Sequence, residues 1–180
     1  MTGVQTCALP ISVTLGATFQ WKVTISNAGG GDAVFSAGQT IFQDDLPAGL
    51  TYGAPTVGSV TDVTNDANIT CDIGTTTAGA LSCLADGAAV TLEAETGTFD
   101  VVFDVTPSAT GDLPNPDPSG ICQVDPDDHV DEDDESDNDC ADTVTVLDKP
   151  DLQVTKTNDT AGTGVVGTAF NWTVTLSNVG

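Results

Sequence analysis

A strand-like segment occurs twice in this chain, and the repetition constrains the fold more than any other feature. Residues 15–29 (LGATFQWKVTISNAG) align without a gap with residues 166–180 (VGTAFNWTVTLSNVG), and eight of the fifteen positions are identical. In both copies apolar residues alternate with polar ones, which places the apolar set on the buried face of a strand. The constant offset of 151 residues is too long for a solenoid repeat and indicates whole domains in tandem.

The same alternation recurs between the two copies. In TFDVVFDVT at 98–106, Phe99, Val101, Phe103 and Val105 are predicted to face the core, and the two aspartates, at 100 and 104, to face solvent. Turn segments, including the proline-rich DLPNPDPSG at 112–120, separate the predicted strands. The sequence therefore predicts an all-β fold, an immunoglobulin-like antiparallel β-sandwich in a tandem repeat fragment. Further strands are predicted near 39–44, 50–54, 68–72, 80–84, 89–94, 121–124 and 143–147.

The N-terminal residues have a different character. MTGVQTCALPI, residues 1–11, resembles one translated reading frame of a sequencing-library adapter, so we interpret it as an artefact. By the repeat offset, DLQVTKT at 151–157 corresponds to residues 0–6, which the adapter-like sequence has replaced. We therefore expect residues 12–150 to form a repeat lacking its first strand and residues 151–180 to form the first two strands of the next repeat. Two strands cannot bury Phe170 and Trp172 by themselves, so we expect either that they stay poorly packed or that residues 151–157 pair with the first unit in place of its lost strand.

Four cysteines remain once the adapter-like segment is set aside. Cys71 and Cys83 flank one short segment, and Cys122 and Cys140 flank another. Three pairings are possible, and the local one is favoured because each bridge closes a single loop. A metal site is the alternative, but there is no Cys-x-x-Cys spacing. Disulfides imply an oxidising compartment, hence an extracellular or cell-surface location.

Charge excludes two classes of partner. The chain has 27 Asp and Glu residues and three Lys and Arg residues, a formal net charge of −24. Such a surface repels phosphate backbones and anionic lipid, so nucleic-acid partners are not expected. Membrane insertion is not expected either, since no stretch of 18 apolar residues occurs.

The acid residues are concentrated in one segment, because eleven of the 18 residues at 125–142 are Asp or Glu. Calcium binds six to eight oxygen ligands and would relieve the repulsion between these carboxylates. The alternative is a solvated hairpin loop, and the segment lacks the EF-hand pattern. No cofactor other than calcium is expected. The candidate calcium ligands are Asp125, Asp127, Asp131, Asp133, Asp137 and Asp139.

Several of these motifs together resemble a known family. The Lys-Thr strand at 151–157, the aromatic strand ending in Ser-Asn-x-Gly, and the turn containing Asp45, Leu46, Pro47 and Gly49 resemble the bacterial surface-repeat family called "domain of unknown function eleven". The segment VDPDDHVDEDDESDND at 124–139 is similar to the acidic hairpin of cell-adhesion-related bacterial domains. The resemblance implies extracellular, tandemly repeated, immunoglobulin-like modules without catalytic residues.

Three classes of function follow from these features. The first is a non-catalytic structural spacer or stalk repeat of a bacterial surface or secreted protein, whose partners are the neighbouring repeats of the same chain. The second is an adhesive module that binds a surface protein or a glycan, with calcium as an option. An enzyme is not expected, since no motif isolates catalytic residues.

Lys156, on the face shared by Leu152 and Val154, is interpreted as snorkelling from its strand. An isopeptide crosslink from Lys156 to an Asn or Asp is the alternative.

Overall fold

Nearly all the regular structure of the chain is β-strand. The computed structural model describes residues 2–6 as backbone, and residues 12–74, 79–132 and 134–180. These residues contain no α-helix, only a short 3-10 turn at Asp66–Asn68. The strands are β1 Thr2–Thr6, β2 Ser12–Thr14, β3 Phe19–Asn27, β4 Ala33–Phe35, β5 Thr40–Asp45, β6 Leu50–Tyr52, β7 Thr56–Thr61, β8 Val63–Thr64, β9 Ile69–Ile73, β10 Ala80–Ala85, β11 Val90–Leu92, β12 Thr98–Pro107, β13 Gly111–Asn115, β14 Cys122–Val124, β15 Asp142–Leu147, β16 Leu152–Asn158 and β17 Trp172–Asn178.

The chain divides into two compact units, Met1–Leu147 and Asp148–Gly180. In the first unit, one sheet has the order β1-β3-β12-β6, with β7 also paired to β12, and a second has the order β14-β5-β10-β9. Two smaller sheets, β4-β11-β8 and β13-β15-β2, complete this unit. The first unit is an immunoglobulin-like β-sandwich, as the alternation predicted. The pairing is antiparallel in both main sheets, whereas β2 pairs with β15 in the parallel sense.

Strands β3 and β12 supply the centre of the core. Their predicted inward residues are all buried, from Phe19 at 6% exposure to Ile25 at 0%. Asp100 departs from the prediction, because only 9% of it is exposed whereas Asp104 lies in solvent. The Asp100 carboxylate accepts hydrogen bonds from Thr24 Oγ1 at 2.7 Å and Lys22 Nζ at 3.3 Å. Alternation predicts the face of a residue but not the neighbouring side chains that cover it.

The proline-rich segment also differs from its prediction as a turn. Gly111–Asn115 forms β13, which pairs with β15 and lies at the edge of its sheet. Pro114 lacks a backbone N–H, and an edge strand tolerates this because one of its two sides needs no partner. Sequence signals for turns and for edge strands overlap at such positions.

The edge of β3 is also occupied. β1 pairs with β3 so that Val4 lies opposite Ile25. In the second unit β16 pairs with β17 in the same way, with Val154 opposite Leu176. The place where a missing first strand was expected therefore holds residues 2–6 of the adapter-like segment. An unpaired strand edge presents free N–H and C=O groups, which form hydrogen bonds with another segment that adopts an extended conformation.

The second unit is a two-stranded hairpin with its apolar side chains in solvent. Phe170 is 45% exposed, Trp172 53% and Leu176 71%. This matches the expectation that two strands alone cannot bury these residues. Lys156 Nζ lies 4.3 Å from the centre of the Trp172 ring, on the same face of the hairpin.

Candidate functional site

Two disulfides are present in the first unit, with the local pairing that the sequence favoured. Cys71 and Cys83 lie directly opposite each other on β9 and β10, with their Cα atoms 4.1 Å apart. Cys122, on β14, is bonded to Cys140 with a Cα–Cα distance of 5.0 Å. The second bridge closes the segment that contains most of the clustered acid residues, which we call the acidic loop (residues 123–139).

Backbone hydrogen bonds hold the base of the acidic loop. The Cys140 N–H donates to the Cys122 carbonyl at 2.8 Å, and the Val124 N–H donates to the Asn138 carbonyl at 3.0 Å. The Asp125 N–H donates to the carbonyl of Ile41 on β5 at 2.9 Å. The loop is therefore anchored to the core sheet through β14, while its carboxylates extend from this base.

Asp125 is a structural member of the loop. It is only 4% exposed, and its two carboxylate oxygens accept the backbone N–H groups of His129 at 3.0 Å and Val130 at 2.7 Å. These bonds close a tight turn in which Asp125 itself has a φ of 46°. Hydrogen bonds from the backbone satisfy a carboxylate and reduce its need for a cation.

A second group of carboxylates surrounds Asn138, which is fully buried. Its Nδ2 donates to Glu135 Oε2 at 2.7 Å and to Glu132 Oε1 at 3.4 Å. Partial desolvation of Glu135, together with repulsion from Glu132, Asp128 and Asp125, raises the pKa of its carboxyl group. Negative charge is thus concentrated around Glu135.

The predicted calcium ligands do not converge in the residues that the structure describes, where no three acidic, His or Cys side chains are grouped to hold a metal ion. Asp133 lies outside the described residues. The Asp125 carboxylate accepts hydrogen bonds from backbone N–H groups, and Asp127 Oδ2 lies 3.9 Å from His129 Nε2. Asp131 and Asp139 are exposed. Asp137 Oδ1 is buried without a hydrogen-bond partner.

An open cavity of about 340 Å³ adjoins the acidic loop. One wall is the glycine-rich segment at 27–33, which follows β3, and the other is formed by Val130, Asp131 and Glu132. Asn27 shapes the first wall, since its Nδ2 donates to the carbonyls of Gly31 at 2.8 Å and Leu92 at 3.0 Å. Two acidic residues, Asp131 and Glu132, are among those that line the cavity, so a ligand with hydroxyl, amine or cationic groups would complement it.

Removing the bridge at the base of this loop should destabilise the sandwich. We expect the Cys122→Ala/Cys140→Ala double variant to lose about 3 kcal/mol of unfolding free energy, because its unfolded chain is no longer restricted. Urea denaturation followed by circular dichroism measures this loss. The Cys71→Ala/Cys83→Ala variant, which opens a loop of similar length, should lose a comparable amount. No change in either variant would contradict a role of the bridges in stability.

A further polar pair was not identified from the sequence. Asp44 on β5 is 0% exposed and Asn115, at the end of β13, is 4% exposed. Asn115 Nδ2 donates to Asp44 Oδ2 at 2.7 Å, while Asp44 Oδ1 and Asn115 Oδ1 are buried without a hydrogen-bond partner. Burial, reinforced by the charge of Asp45 and opposed by the Asn115 hydrogen bond, raises the pKa of Asp44 to about 7. Alternation from Phe42 could have placed Asp44 on the inward face, but Asn115 carries no such signal.

One aromatic side chain, Tyr52, lies near Asp44 and belongs to a series of ring contacts that leads to Trp21. Tyr52 lies close enough that burial and the charge of Asp44 raise the pKa of its phenol, and its hydroxyl donates to the Pro47 carbonyl at 2.6 Å. The Tyr52 ring is 6.2 Å from Phe103, which is 6.0 Å from Trp21. Trp21 Nε1 in turn donates to Asp142 Oδ2 at 3.0 Å, and Asp142 is the residue opposite Asn115 on β15. The pair therefore lies at the same end of the core as Trp21.

No helix in the described residues is long and apolar enough to cross a bilayer. No model of a known protein family matches the chain, and no curated protein matches it either.

Some solved structures align with the chain at low sequence identity. Domains D2 and D3 of the major pilin SpaD from Corynebacterium diphtheriae align at 14% identity and a TM-score of 0.40, over 87% of this chain and 54% of that one. Full-length SpaD aligns at 13% sequence identity and a TM-score of 0.39, over 87% of this chain and 36% of that one. A chain of a CaDoc–CaCohA2 complex aligns at 21% sequence identity and a TM-score of 0.36, over 76% of this chain and 94% of that one. The chain thus spans about half of the pilin fragment and about a third of the full-length pilin.

Proposed function

We propose that this chain is a non-catalytic structural repeat of an extracellular bacterial protein, in which disulfide-bonded sandwiches act as spacers. The observation that carries the proposal is the repeat of residues 15–29 at 166–180, whose two copies contain the strands β3 and β17. A repeated strand that follows β15 favours a second module of the same kind. Only residues 148–151 separate β15 from β16. A short connection between like modules favours a role in building length.

The two disulfides support the same proposal. They enclose sequence separations of 12 and 18 residues, and they persist in an oxidising environment outside the cytoplasm. The high negative charge keeps such a module soluble and limits association with other acidic surfaces.

Single-molecule force spectroscopy of the full chain tests the spacer role. We expect the oxidised sandwich to resist force and to unfold in one step, since β3 and β12 must be separated together. Reduction should lengthen the unfolded chain by about 100 Å, because the residues enclosed by both bridges are released at about 3.5 Å each. Gradual extension of the oxidised chain without a force peak would contradict a load-bearing spacer.

We propose adhesion as the second candidate function, favoured by the cavity beside the acidic loop. Measuring saturable binding of the full chain to a panel of glycans and proteins tests this function. Binding that is lost in Asp131→Asn/Glu132→Gln and kept in Asp66→Asn/Asp86→Asn would support adhesion through this cavity. The second variant changes exposed acids outside the loop. Absence of saturable binding across the panel would exclude adhesion to the classes that the panel contains.

Calcium binding remains a proposal for the acidic loop, supported by the crowding of Glu135 against three other carboxylates. Extracellular calcium modules have dissociation constants of about 10⁻⁴–10⁻³ M. At ten times the dissociation constant, we expect calcium to stabilise the sandwich by about 1.4 kcal/mol. Thermal unfolding in calcium chloride, compared with sodium chloride at equal ionic strength, measures this. Equal melting temperatures in the two salts would contradict calcium binding.

A further inference from the structure

The hairpin of the second unit has one apolar face and one polar face. Residues directly opposite each other on an antiparallel pair lie on the same side of the sheet. One side of the β16–β17 pair therefore carries five large apolar residues, while the alternate positions are threonine, serine or glutamine. Each of the five apolar residues is more than half exposed. We call this set the hairpin face, and it consists of Leu152, Val154, Trp172, Val174 and Leu176.

The first unit shows that the same strand is built to pack. In the repeat, the residues of β17 on the hairpin face correspond to Trp21, Val23 and Ile25 of β3. Those three residues are buried in the core of the sandwich. A two-stranded hairpin is only marginally stable in water by itself. The hairpin face therefore lacks the apolar partner that its counterpart in the first unit has.

Within the side chains that the structure describes, the first unit presents no matching surface. Its exposed large apolar residues are Val34, Ile121 and Leu147, and no two of them lie on the same strand or on paired strands. Single exposed apolar residues are ordinary on a protein surface, whereas a continuous apolar patch marks an interaction site. The surface in this part of the chain that complements the hairpin face is therefore the hairpin face of a second copy.

The distribution of charge permits two hairpins to approach each other. Residues 148–180 contain three aspartates and two lysines, so the second unit has a net charge of −1, whereas the chain as a whole has −24. Lys156 is the cation on the apolar side of the hairpin, and its Nζ lies 4.3 Å from the centre of the Trp172 ring. A cation held over an aromatic ring tolerates partial loss of its water. Repulsion between two copies is therefore concentrated in their first units and not at the hairpins.

We propose that the hairpin face packs against the hairpin face of a second copy, so that two hairpins form a small four-stranded sandwich. Five large apolar residues that are each more than half exposed leave about 600 Å² of surface per copy. Two such faces in contact bury about 1,200 Å², the area at which specific interfaces become stable. The contact uses the same surface of both copies, so a twofold axis closes it and association stops at the dimer. The dimer does not depend on the proposed spacer role.

Sedimentation velocity of the full chain tests the proposal, with Cys7→Ala in every sample so that the fifth cysteine cannot form an intermolecular disulfide. We expect a monomer–dimer equilibrium with a dissociation constant of about 10 μM for an interface of this size. Sodium chloride should strengthen the association, because it screens the repulsion between the first units. The fluorescence emission of Trp172 should shift to shorter wavelength on dimerisation, whereas Trp21 is buried in both states.

Matched variants locate the interface. Val154→Glu/Leu176→Lys puts an opposite-charge pair on the hairpin face, and Thr155→Glu/Thr175→Lys puts the same pair on the other face. The first should raise the dissociation constant at least about 100-fold and the second less than about threefold. Val154→Thr/Leu176→Thr, which keeps residues favourable to strands, should raise it at least about tenfold and covers the case in which the charged variant does not fold.

Four results would overturn the proposal. They are a monomer at about 200 μM, which is well above the expected dissociation constant, a dimer that persists in both variants of the hairpin face, equal weakening by the pair on the other face, and growth beyond the dimer with increasing concentration.

Discussion

Replacing Phe103 with alanine should lower the free energy of unfolding of the sandwich by about 3–5 kcal/mol. Phe103 is 1% exposed, lies in the centre of β12, and packs near Trp21 and Tyr52. Truncation removes buried apolar surface and leaves a cavity that the two sheets cannot close, because β3 and β12 are paired along eight residues. Urea denaturation followed by circular dichroism measures the loss.

Phe170 provides the matched control for this substitution. It is 45% exposed in the second unit and its ring packs only partly, on Trp172 at 5.7 Å. Phe170→Ala should therefore change the stability of the sandwich by less than about 0.5 kcal/mol. Equal losses in the two variants would contradict the placement of the core between β3, β12 and the facing sheet.

The second large effect concerns Asp44 and pH. Its pKa is raised from 3.8 to about 7, so the folded state holds this proton more tightly than the unfolded state does. The unfolding free energy should therefore decrease between pH 4 and pH 7 and then level off, because above pH 7 both states have lost the proton. The rise in the pKa of Asp44 corresponds to a decrease of about 4 kcal/mol in the free energy of unfolding, which is an upper figure for one buried carboxyl group.

Asp44→Asn isolates this contribution, since asparagine is similar in size and does not ionise. We expect the difference in unfolding free energy between the variant and the unaltered chain to increase by about 4 kcal/mol, in favour of the variant, as the pH rises from 4 to 8. Asp104→Asn removes an exposed carboxylate and measures the general effect of losing one negative charge. If the stability difference between the Asp44 variant and the unaltered chain is the same at both pH values, Asp44 is not protonated in the folded protein at neutral pH.

The inward faces of the main strands could be predicted because burial follows a period of two along a strand. The predicted residues of β3 and β12 are buried as expected, and the strands near 39–44, 80–84 and 143–147 form as β5, β10 and β15. The local pairing of four cysteines could also be favoured, since loop length enters directly into the cost of closure. These features depend on neighbours close in sequence.

Other features depend on strands that meet only in the folded chain. β13 was mistaken for a turn because its prolines are compatible with both a turn and an edge strand. Asp100 was expected in solvent, but Thr24 and Lys22 of the adjacent strand cover it. Residue order also did not indicate that the carboxylate of Asp125 accepts hydrogen bonds from the backbone N–H groups of His129 and Val130.

Residue order alone indicates an all-β chain with a repeated strand segment and a strongly acidic loop between two cysteines. Alternation, repetition and charge are local or periodic properties, so they can be read from residue order. Only the tertiary structure brought Asp44 and Asn115, 71 residues apart, into a buried hydrogen bond. That pairing depends on how β5 and β13 pack, and the packing of distant strands is decided by the shape of the whole core.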